Sequence, residues 1–78
     1  MLEKTTEELK AQLLATDEGF RRLAEQHSLY DRQLVELESK SRLTEAEQLE
    51  EVRLKKLKLR AKDQMMQMLA RFRTGHAG

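Results

Sequence analysis

The chain has no cysteine, no proline and no tryptophan among its 78 residues. Without cysteine there is no disulfide, no thiolate metal site and no cysteine nucleophile. Aromatic residues make up only 4% of the chain, all on apolar faces, which leaves nothing for base stacking. Gly19 and Gly75 stand outside any glycine-rich motif, so neither belongs to a phosphate loop. No apolar run approaches the ~20 residues of a membrane-spanning helix. The opening Met1-Leu2-Glu3-Lys4-Thr5-Thr6-Glu7-Glu8 is acidic and polar, unlike a signal peptide. The expected location is cytoplasmic.

What is present is helix-forming. Leu, Glu, Lys, Arg, Gln, Ala and Met dominate, and 37% of residues are charged. A mean hydropathy of -0.78 would suit disorder. The regular spacing of the apolar residues argues instead for order. Residues 1–78 are expected to form a single domain with a thin core, of marginal stability as one copy. The net charge is +1. Residues 1–50 hold seven Lys/Arg against twelve Asp/Glu, and residues 51–78 hold eight against two. The two halves carry opposite charge and should attract.

Thr5-Thr6-Glu7-Glu8 reads as a capping box that starts a short helix over 6–15. Asp17 is a good N-cap for a second helix over 18–38, with Gly19 loosening the joint. Thr44-Glu45-Ala46-Glu47 is another capping box, for a third helix over 44–72. Residues 74–78 read as a flexible tail, with Gly75 as a stop signal.

Phe20, Leu23, His27, Tyr30, Leu34 and Leu37 recur at alternating spacings of three and four, a coiled-coil seam. On the third helix, Leu54, Leu57, Ala61, Met65, Met68 and Phe72 share a face. A short turn between the two helices makes them antiparallel neighbours. The first helix must dock its leucines or fray, and the overhanging 65–72 segment is where Leu9 and Leu13 could pack. Leu49, Val52, Leu59 and Met66 lie on another face of the third helix and need a further partner. That partner is either the first helix or another copy of the chain.

Three features invite a chemical reading. His27 sits on the seam with Asp31 one turn later, the spacing of a hydrogen-bonded or ionic pair. No nucleophile accompanies it, so a structural, partly buried histidine is the better reading. No His/Cys/Asp cluster has metal-ligand spacing, so no metal and no cofactor are expected. Lys55, Lys56, Lys58, Arg60 and Lys62 form a basic block able to meet nucleic acid or an anionic membrane surface. Its cations surround the helix instead of forming one stripe. The plainer reading pairs them with Glu18, Glu25 and Asp31 of the second helix. Met65, Met66 and Met68 suit a core or an adaptable docking surface.

Two blocks carry a family resemblance. Phe20-x-x-Leu23-x-x-x-His27-x-x-Tyr30-Asp31-x-x-Leu34 is followed by Leu54-Lys55-Lys56-x-Lys58-Leu59-x-Ala61-Lys62-Asp63-x-Met65. Together they resemble the YdcH family of small bacterial proteins, a domain of unknown function. SlyX-like coiled-coil proteins are a looser second match. Tyr30 stands where the family usually has Leu, and Ala61 where a larger aliphatic is common. The resemblance implies a cytosolic helical hairpin and no assigned activity. His27, Asp31, Lys58 and Asp63 carry over as signature positions, read physically as a buried polar cluster that sets helix register.

The expected fold is all-α: an antiparallel, coiled-coil-like helical hairpin with a short N-terminal helix, self-associating as a dimer or tetramer. The expected role is protein–protein interaction with another copy or another helical protein. Nucleic-acid or anionic-membrane binding through the basic block ranks second. Catalysis ranks last, because so thin a bundle offers no concave pocket with converging polar groups.

Overall fold

The computed structural model describes residues 5–77, with side chains described as far as residue 74. Three helices follow one another: α1 (Thr6–Thr16), α2 (Glu18–Glu38) and α3 (Glu45–Ala77). The described residues contain no strand.

Each helix starts where its cap chemistry dictates. Thr5 Oγ1 accepts from the Glu8 amide at 3.1 Å, and the Glu8 carboxylate accepts from the Thr5 amide at 3.3 Å. This satisfies two donors that the first turn cannot pair internally. Thr44 and Glu47 repeat the exchange at the start of α3, at 3.1 and 2.9 Å. Thr44 is thus the cap, and α3 itself begins at Glu45.

Asp17 does double duty. Its amide donates to Leu13 O and closes α1, while its carboxylate accepts from the Phe20 amide at 2.9 Å and opens α2. Its backbone is extended, with φ −120° and ψ 113°. One residue therefore turns the chain between two helices. Arg21 reaches back from α2 to Leu14 O at 3.0 Å and Ala15 O at 3.4 Å. A cation at these carbonyls complements the negative end of α1.

Apolar periodicity becomes packing. Leu9, Leu13, Phe20 and Leu69 form one buried cluster, and Met65, Met68 and Phe72 pack against it. Leu34, Leu54 and Ala61 are buried further along. Leu9 and Leu13 of α1 thus dock on the 65–72 segment, which decides between docking and fraying. Leu69 is a core residue that the heptad reading passed over. α2 and α3 lie against each other, and α1 touches both. Lys55 meets Glu38 and Lys58 meets Asp31. Residue numbers on the two helices therefore run in opposite senses. The molecule is 53 Å long, close to the length of α3 at ~1.5 Å per residue.

One boundary is corrected. The sequence predicts an end near Phe72 and a flexible tail over 74–78, but α3 continues to Ala77. Thr74 turns its hydroxyl to Ala70 O at 2.8 Å, which is a helical contact. A lone glycine inside a helix costs only about 1 kcal/mol, so Gly75 does not stop it. Arg73 binds Thr6 Oγ1 at 3.2 Å, tying this end of α3 to α1. Gly78 and the side chain of His76 lie outside the described residues. Among the described residues, no helix is long and apolar enough to cross a membrane.

Candidate functional site

The residues predicted for the seam differ in burial. Phe20, Leu34, Leu54 and Ala61 are buried, and Leu23, His27, Tyr30, Leu37, Leu57, Met65 and Met68 are half-buried. At Ala61 the seam holds only a methyl group, which allows close approach of the helices.

The second predicted face of α3 is open. Leu49 is 73% exposed, Val52 49%, Leu59 58% and Met66 54%. Val52, Leu59 and Met66 are seven residues apart in turn, so they form a stripe along α3. Leu14, Leu29 and Val35 are also exposed, singly and on other helices. α1 does not cover the stripe, because its Leu9 and Leu13 pack with Phe20 and Leu69.

Beside the stripe runs an open furrow of about 610 Å³ between α2 and α3. Leu34, Leu69 and Met65 lie in it, with Leu59 and Met66 on the α3 side. Thr6, Glu7 and Lys10 of α1 line one part. The walls differ in charge. Lys55, Lys58 and Lys62 come from α3, whereas Asp31 and Glu38 come from α2.

The polar contacts correct three expectations. Asp31 does not bind His27. Its Oδ1 accepts from Lys58 Nζ at 2.6 Å. That hydrogen bond and the lysine charge hold the Asp31 carboxyl below its ordinary range, with a smaller pull from His27. Nor is the cluster of His27, Asp31, Lys58 and Asp63 buried. No polar or charged residue among those described is buried, and Asp63 is exposed. A furrow edge gives the lysine stem cover while its ammonium keeps water. Finally, of the three expected acidic partners only Asp31 serves the basic block. Glu18 pairs with Arg22 on its own helix at 3.2 Å. Lys55 meets Glu38 instead, at 3.8 Å. Lys56, Arg60 and Lys62 form no ion pair among the described residues. The sequence could not show this, because the partner depends on the register between helices.

At the linker, Lys40 pairs with Glu47. That bond, helped by the Thr44 amide, pulls the Glu47 carboxyl down. Arg53 does the same to Glu50 from 2.5 Å. Among the described residues, no group of three or more His, Cys, Asp or Glu side chains is placed to hold a metal ion.

No curated protein and no solved structure matches the chain. A family model does match, over residues 20–69, which takes in most of α2, the linker and the first 25 positions of α3. Both signature blocks fall inside that span, together with the Asp31–Lys58 pair. The chain therefore belongs to the family described as Protein of unknown function (DUF465), the family of the YdcH proteins.

Proposed function

We propose that this protein is a helical interaction module that works by self-association. In this reading α2 and α3 form an antiparallel, coiled-coil-like hairpin, and the outer face of α3 is the contact surface. The protein acts in the cytoplasm as a dimer or tetramer and is not an enzyme.

One observation carries the reading: Leu49, Val52, Leu59 and Met66 stand about half exposed or more on a single helix, while the opposite face is spent on the core. Four large apolar side chains exposed on one face, interleaved with charged residues such as Lys56 and Asp63, suit an association surface in a small chain. Association also supplies stability that so thin a core lacks.

The test is thermal unfolding at several protein concentrations. A melting temperature that rises with concentration supports self-association, because binding stabilises the folded state by mass action. A constant melting temperature from low to high micromolar contradicts it.

A second reading rests on Lys56 and Arg60, which are exposed and form no ion pair among the described residues. With Lys55, Lys58 and Lys62 they would hold nucleic acid or an anionic membrane surface. Such binding weakens steeply with salt. Gel shift and vesicle pelleting at low salt decide it, and no binding in either removes it.

A further inference from the structure

The charges on the furrow walls point to how two copies meet. We propose that a second copy of this chain seats in the furrow between α2 and α3, with the α3 wall of each copy against the α2 wall of the other. This rests on the self-association proposed above and adds its geometry.

The α3 wall presents Lys55, Lys58 and Lys62, and the α2 wall presents Asp31 and Glu38. A two-fold axis parallel to the furrow lays each basic wall on an acidic one. Both contacts form at once, as an isologous interface requires. A two-fold axis across the furrow would instead bring α3 against α3. The block from Lys55 to Lys62 would then face its own copy, at a cost from like charges.

The walls retain capacity for this contact. Asp31 binds Lys58 through Oδ1, and Glu38 meets Lys55 through Oε2. The other oxygen of each carboxylate remains for a cation from outside. Lys62 has no ion-pair partner among the described residues. The apolar groups fit the same placement. Leu59 and Met66 stand on the α3 wall, more than half exposed. In the paired arrangement they reach the furrow of the second copy, where Leu34 and Met65 lie.

Sedimentation equilibrium at low and high salt, on the wild type and Lys62→Glu, tests the geometry. Circular dichroism checks that the variant keeps its helicity. The wild-type dimer should weaken as salt rises from about 50 to about 500 mM, since screening removes attraction between the walls. Lys62→Glu should weaken the dimer about tenfold at low salt, because both symmetric contacts turn from attraction to repulsion. A dimer that tightens with salt, or one that Lys62→Glu leaves unchanged or tightens, would overturn this geometry alone. A monomer at every concentration would overturn the geometry and the self-association together.

Discussion

Lys58 Nζ of α3 lies 2.6 Å from Asp31 Oδ1 of α2, joining positions 27 residues apart. Among the described residues, a second charged link between these helices, Lys55 to Glu38, is longer at 3.8 Å. The shorter pair marks which turn of α3 faces which turn of α2. Its members are about a third and a half exposed, so water screens the pair and its contribution to stability is small.

That pair makes stability depend on pH. Lys58 holds the Asp31 carboxyl low in the folded protein. Lys40 and Thr44 do so for Glu47, and Arg53 for Glu50. A carboxyl lowered on folding binds fewer protons folded than unfolded, so its contribution is present above the ordinary carboxylate range. It is lost as pH falls through the lowered folded value. The melting temperature should therefore drop as the solution is acidified below about pH 4. Asp31→Asn should shrink that drop, and an unchanged acid profile in this variant would exclude Asp31 as a contributor.

The seam is tested by truncation. Leu34 is 5% exposed, and Leu34→Ala should cost ~2–4 kcal/mol in urea unfolding through lost burial and the cavity left behind. Leu29→Ala, on an exposed position of the same helix, should change the monomer little. Equal costs at the two sites would mean the seam is misplaced.

Phe20 joins α1 to the rest. It is fully buried among Leu9, Leu13 and Leu69, and α1 has 11 residues, too few to be stable alone in water. Phe20→Ala should release α1 before α2 and α3 separate. Amide hydrogen exchange would then speed up across Thr6–Thr16 while the centre of α3 stays protected. Uniform acceleration would show instead that the three helices unfold as one unit.

The cap of α3 is expected to matter by itself. Thr44→Ala removes the acceptor for the Glu47 amide and should cost about 1 kcal/mol. Thr44→Ser keeps the hydroxyl and should cost much less. Chemical unfolding of both variants makes the comparison.

Most of the secondary structure is legible in the residues because its causes are local. Two Thr-x-x-Glu boxes and Asp17 mark the three starts, and the three-and-four spacing from Phe20 marks the seam. What the sequence hides depends on how helices meet. Met68 and Leu69 are adjacent on α3, and only the approach of α1 decides that Leu69 is the buried one. Asp31 has His27 one turn away and Lys58 far along the chain, and the register between helices selects Lys58. Gly75 reads as a stop, yet the helix passes through it. The outer stripe of Leu49, Val52, Leu59 and Met66 is visible in the spacing, but identical spacing serves a core or a contact. Only its exposure distinguishes the two.

The stripe on the outer face of α3 is proposed as the surface for association. Sedimentation equilibrium of the wild type and Leu59→Ser, from low to high micromolar, tests it most directly. The wild-type mass should rise to a multiple of the 9.2 kDa chain, and the Leu59→Ser mass should stay at one chain with its helicity intact. A wild-type mass of one chain throughout, or assembly untouched by Leu59→Ser, would contradict it.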